Sequence, residues 1–157
     1  MSEESLKRAF GVVWSRFLEF EITRSKQMCE VAGNPLSAII LQVVAYHNLT
    51  VVQSAAKDKA YVEIRSAWEL NNKASAQHLP QKLSFAAIAD ITGVDKETVR
   101  RSVKKLEAEG WLSIDQKTGI SYSPSQINQD KLLMLNEWEI IHLGRLLKRL
   151  NDASNAG

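Results

Sequence analysis

The eleven residues Asp95-Lys96-Glu97-Thr98-Val99-Arg100-Arg101-Ser102-Val103-Lys104-Lys105 carry five basic side chains against two acidic ones. If Val99, Val103 and Leu106 face inward at helical spacing, Lys96, Glu97, Arg100, Arg101 and Lys104 fall on the outward or flanking faces. Such a surface has the sign that a phosphate backbone requires. Arginine also has the shape to fork onto a guanine edge, and a carboxylate such as Glu97 can accept from a cytosine amine. On this register Arg100 is expected to project into a major groove, with Lys104 one turn on and nearer the backbone. A solvated helix face is the bland alternative, so the flanking elements must decide.

Those elements read as a helix, a turn, a second helix and a hairpin. Ser84 can cap a short helix whose inward face is Phe85, Ile88, Ala89 and Ile91. Thr92-Gly93-Val94 supplies the turn, with glycine free to take positive φ. Asp95 caps the next helix, Glu97 and Thr98 open it, and Gly110 ends it. Trp111–Asp115 and Gly119–Ser123 follow as two short strands joined by Gln116-Lys117-Thr118, a β-wing with Lys117 at its tip. A cap-turn-cap pattern ahead of a wing makes double-stranded DNA the expected partner of the basic helix. The residues expected to contact it are Ser84, Lys96, Glu97, Thr98, Arg100, Arg101, Lys104 and Lys117.

The run Ser84…Ile88-Ala89…Thr92-Gly93-Val94-Asp95-Lys96-Glu97-Thr98-Val99-Arg100-Arg101…Leu106-Glu107…Gly110-Trp111-Leu112 resembles the winged helix–turn–helix of bacterial one-component regulators. Its recognition-helix start and its Leu-Glu-x-x-Gly-Trp-Leu entry into the wing are similar to the GntR group. The long helices before and after the module are more similar to the MarR group, whose terminal helices form a dimer. The resemblance implies a sequence-specific transcriptional regulator, with Lys96, Glu97 and Arg100 toward the groove and Lys117 toward the backbone. A protein-interaction module with a basic docking face, or a plasmid or phage replication-initiation protein, would use the same pattern for other ends.

The rest of the 157 residues is expected to be mainly helical. Residues 1–48 should form N-terminal helices for core and dimer. Leu6, Phe10, Val13 and Phe17 set one amphipathic stripe there, and Gly33-Asn34-Pro35 ends one helix and starts the next. Residues 36–48 are apolar on nearly every face, which predicts a buried central helix. Residues 49–82 read as a helix on which Tyr61, Ile64 or Arg65, and Trp68 can share a face, then a polar linker with Pro80. Beyond the module at 83–123, residues 124–157 should hold a dimerisation helix from about Gln129 to Asn151, with Leu133, Ile140, Leu143, Leu147 and Leu150 on one stripe. Core packing is the expected role of Trp14, Trp68, Trp111 and Trp138, with an effector pocket or a subunit interface as the alternative for Trp14, Trp68 and Trp138.

Composition sets the outer limits. Net charge is only +2, and residues 83–123 carry six basic and six acidic side chains, so any argument for nucleic acid is local. The single cysteine, Cys29, allows no intramolecular disulfide or multi-cysteine zinc site and reads as a packing residue. His47, His78 and His142 lack the spacing of a metal motif, and the seven glycines form no phosphate loop. No enzyme, cofactor or metal is therefore expected; a small-molecule effector remains open. The acidic start Met1-Ser2-Glu3-Glu4 is unlike a signal peptide, and the apolar run Leu36–Tyr46 is too short to span a bilayer. A cytoplasmic, homodimeric protein without a membrane partner is the expectation.

Overall fold

The computed structural model describes residues 3–55 and 82–155. They form a mainly helical chain with one small antiparallel sheet. Its elements are α1 (Glu3–Ala32), α2 (Pro35–Ala55), α3 (Phe85–Thr92), α4 (Lys96–Ala108), β1 (Leu112–Asp115), β2 (Gly119–Tyr122) and α5 (Gln126–Asn155). Among the described residues no single helix is long and apolar enough to cross a membrane. The expected helix around Tyr61 and Trp68, and the linker with Pro80, lie outside the described residues.

The chain divides into two compact units, Ala32–Gln129 and the pair formed by Met1–Val31 with Asp130–Gly157. The first is wider than the 83–123 expected from sequence, because α2 packs against α3, α4 and β2. Ser37, Ala38, Ile40, Leu41, Val44 and Asn48 of α2 are buried there, facing a core that includes Ile88, Val99, Val103 and Leu106. Asn34 starts α2 as its cap, accepting the Ser37 amide proton at 2.9 Å, and Pro35 sits in the first turn, where a missing N–H costs nothing. The helix is less enclosed than its composition predicts, since Ile39 and Tyr46 are exposed. It also runs seven residues past 48, through the start of the segment expected to be separate.

Leu112 pairs with Tyr122 and Asp115 with Gly119 across the two-stranded sheet. Leu83 adds a single bridge to Gly119, and its carbonyl accepts the Ile120 amide proton at 2.9 Å. This fastens the entry to α3 onto the hairpin. Gly119 makes the fastening possible: its φ is +82°, and a Cβ there would stand 2.7 Å from the Leu83 carbonyl oxygen. Gly119→Ala is therefore expected to destabilise the unit by at least about 1–3 kcal/mol from backbone conformation alone, with the clash adding to it. Denaturant unfolding checks this. An alanine variant as stable as the parent would show that the bridge is dispensable.

In the second unit α1 and α5 run antiparallel. Glu19 lies 3.8 Å from Arg149, Arg24 Nε bonds Glu139 Oε1 at 2.7 Å, and Gln27, Glu30 and Val31 share a groove with Lys131, Met134 and Leu135, so positions rise along one helix as they fall along the other; Phe20 stacks on Trp138 at 5.9 Å. Val13, Met28, Leu135 and Leu146 are buried. On one side of this pair Phe10, Trp14, Phe17 and Leu18 of α1 are exposed, as are Ile140, Leu143 and Leu147 of α5. Trp14 is thus not a core residue. It stacks between Phe10 and Phe17, at 5.8 and 5.4 Å, on the solvent side of its helix.

Candidate nucleic-acid interface

Both helices of the α3–α4 pair are capped by their own sequence. Ser84 has extended backbone and its Oγ accepts the Ala87 amide proton at 3.1 Å. Gly93 closes α3 in the left-handed conformation at φ +69°, returning its amide to the Ala89 carbonyl at 2.9 Å. Two residues later Asp95 accepts the Thr98 amide proton at 2.9 Å and starts α4. The change of direction between the helices is thus written in three consecutive local signals, and the fully buried Ile88, Val99, Val103 and Leu106 hold the result.

Burial of Val99, Val103 and Leu106 sets the outward face of α4. At about 100° per residue, Glu97, Arg101 and Lys104 lie opposite the buried stripe, with Lys96 and Arg100 on one flank. Lys96, Glu97, Arg100, Arg101 and Lys104 are all exposed, while Thr98 is half-buried and Ser84 is occupied as a cap. Arg100 is not free: its Nε and a terminal nitrogen reach the two oxygens of Glu97 at 3.0 and 3.3 Å, a fork on fork. Arg101 is the arginine opposite the core, and among the described residues it, Lys96 and Lys104 make no ion pair.

The hairpin is oriented by contacts that its sequence does not advertise. Glu107 Oε1 accepts the Ile114 amide proton at 3.0 Å, tying β1 to α4 on the same flank as Arg100. At the tip Asp115 Oδ1 accepts the amide protons of Lys117 (2.7 Å) and Thr118 (2.9 Å), leaving the Lys117 side chain in solvent. Lys82, which the sequence reading passed over, donates from Nζ to the Gln116 carbonyl and so brings a second cation to the tip. Asn128 was also missed. It is buried and its amide donates to the carbonyls of Glu109 (2.8 Å) and Gly110 (2.9 Å), fixing the exit from α4. No local pattern marks either residue, because each acts on a partner distant in sequence.

Two carboxyls titrate below their ordinary range in this unit. The Thr98 hydroxyl and amide hold Asp95 down, helped by the Glu97 amide and by Arg101. The Thr118 and Lys117 amides do the same for Asp115. A depressed folded-state value means that each ionised carboxylate stabilises the fold above the ordinary carboxylate range near ~4. That contribution disappears as pH falls through the folded-state values. The contribution of these groups to the melting temperature is thus expected to be full and constant between about pH 5 and neutrality, then to be lost below about pH 4. In the Asp95→Asn, Asp115→Asn double variant the acid-dependent part of the drop should shrink. An unchanged acid slope in thermal melts would rule these caps out as its source. Burial pushes the Tyr122 phenol far above its usual value, so it stays neutral throughout.

The arrangement can bind a polyanion. It offers two unpaired cations, Arg101 and Lys104, opposite the buried stripe of a helix and a third, Lys96, on its flank, two more cations at a hairpin tip, and one arginine held in register by a carboxylate. No known protein family, curated protein or solved structure matches this chain.

Proposed function

We propose that the chain is a homodimeric, sequence-specific, double-stranded DNA-binding transcriptional regulator of the cytoplasm, built on a winged helix–turn–helix. In this reading α2, α3 and α4 are the three helices of the module, Leu83 is its short first strand, and β1–β2 is the wing. α4 enters the major groove and the wing tip, with Lys82 and Lys117, approaches the backbone. The observation that carries the reading is the capped α3–α4 pair itself. Its inner residues are fully buried, and among the described residues Arg101 and Lys104 stand unpaired on the opposite side with Lys96 unpaired on the flank.

The dimer rests on the exposed apolar side of the α1–α5 pair, where a ladder of aromatic rings faces water. Exposed apolar surface of this extent marks a contact surface in soluble proteins. Two antiparallel helices meeting the same two helices of a second copy would close a four-helix bundle and bury both faces at once. Two modules are also what DNA reading needs, because one recognition helix contacts only a few base pairs.

The test is selection of bound sequences from a random duplex pool, followed by gel shifts on the selected and on scrambled duplexes. The selected duplex should be bound at moderate salt, and the scrambled one only at low salt. Absence of any shift at low salt would overturn the proposal and leave the basic face to an acidic protein partner.

A further inference from the structure

On the side of the α1–α5 pair opposite the aromatic ladder, three arginines from the two helices converge. Arg16 of α1 and Arg145 and Arg149 of α5 line one open cleft of about 310 Å³, together with His142 and Trp138. The only acid in its lining is Glu19, which lies 3.1 Å from Arg16 and 3.8 Å from Arg149. Three guanidiniums against one carboxylate leave two positive charges, and Arg145 makes no ion pair or hydrogen bond among the described residues. Like charges gathered in this way repel unless an anion joins them.

An aromatic stack lines the cleft. Trp138 is stacked between Phe20, at 5.9 Å, and His142, at 4.1 Å, and His142 Nδ1 is held against the Trp138 carbonyl at 2.9 Å. The volume is at the lower end of that of small-ligand sites. A guanidinium is planar and donates in a fork that matches oxyanions two oxygens at a time.

We infer that this cleft binds a small organic dianion, its doubly charged oxyanion head on Arg145 and Arg149 and a compact ring against the Phe20–Trp138–His142 stack. The ligand displaces Glu19 as the partner of Arg149. The inference is independent of DNA binding, since every residue in it belongs to the α1–α5 pair.

Titration calorimetry on the full chain, at constant ionic strength set with sodium chloride, tests it with three probes. Phenyl phosphate carries both ring and dianion, inorganic phosphate only the charge, and benzoate the ring with one charge. Phenyl phosphate is expected to bind once per protomer and more tightly than either of the others. Arg145→Gln should weaken it about tenfold or more, the effect of losing a charged hydrogen-bond donor. Glu19→Gln should tighten it by removing the competing carboxylate, and Lys104→Ala should leave it unchanged.

The inference falls if phenyl phosphate gives no saturable heat, or if benzoate binds as tightly. It falls equally if Arg145→Gln binds as the parent does, or if Lys104→Ala abolishes binding and so moves the anion to α4. Arg145 is exposed and unpaired, so its replacement should melt like the parent. Should it not, Glu19→Gln decides alone, tighter binding supporting the site and unchanged binding overturning it.

Discussion

Arg101→Ala is expected to weaken binding to a selected duplex by about 1–3 kcal/mol, the range for loss of a good base-edge contact. Arg101 lies opposite the buried stripe of α4 and makes no ion pair, so its guanidinium is available for base or phosphate. Arg100→Ala should behave differently. The Arg100 charge is already cancelled by Glu97, at 3.0 and 3.3 Å, so random duplex should lose little while discrimination between sequences falls. Glu97→Gln should do the converse, raising affinity for random duplex because a carboxylate no longer faces phosphates. Lys117→Ala at the hairpin tip should weaken selected and random duplexes alike and lower the salt slope by about one unit. All four side chains are exposed, so thermal melts should match the parent. If both arginine variants stay folded and bind every duplex as the parent does, α4 is not the reading element.

Leu147→Asp is expected to separate the dimer. Leu147 is 58% exposed in the single chain, so a carboxylate there costs the protomer nothing in buried charge. In a symmetric bundle the same position is buried twice, once from each copy. An unpaired buried charge costs about 3–5 kcal/mol, so the dimer dissociation constant should rise at least about a hundredfold. Affinity for a two-half-site duplex should fall with it, while affinity for a single half-site stays as it was. Sedimentation of parent and variant across concentration reads the first effect and gel shifts read the second. A parent that is monomeric at tens of micromolar, or a variant that sediments as an unchanged dimer, would remove the bundle from the reading.

The α3–turn–α4–hairpin order is legible in the sequence itself. A cap, a left-handed glycine and a 3.6-residue period each act within a few residues of chain, so Ser84, Gly93, Asp95 and the stripe Val99-Val103-Leu106 carry their own instructions. The helix after Asp95 and both strands lie within one residue of the sequence expectation. The break between the first two long helices was equally plain, because Gly33-Asn34-Pro35 is a stop and a start in three residues, but α2 runs seven residues past 48 and α5 begins three residues before and ends four after the expected 129–151.

Partner choice was not legible, because periodicity identifies a face without saying what covers it. The helix from Pro35 is apolar on most sides, and only packing assigns it to α3, α4 and β2. Phe10, Trp14 and Phe17 carry the same pattern that core residues carry, yet they face water in the single chain. Arg100 and Arg101 are neighbours with the same chemistry, and only the rotation set by three buried side chains ranks them. The Arg16–Arg145–Arg149 cleft is furthest from sequence logic, since it exists only where two distant helices run antiparallel. Local conformation is decided by short-range sterics and hydrogen bonds, which the order of residues specifies directly. Which surfaces meet is decided by the summed burial of many weak contacts, and that sum is defined only once the chain has folded.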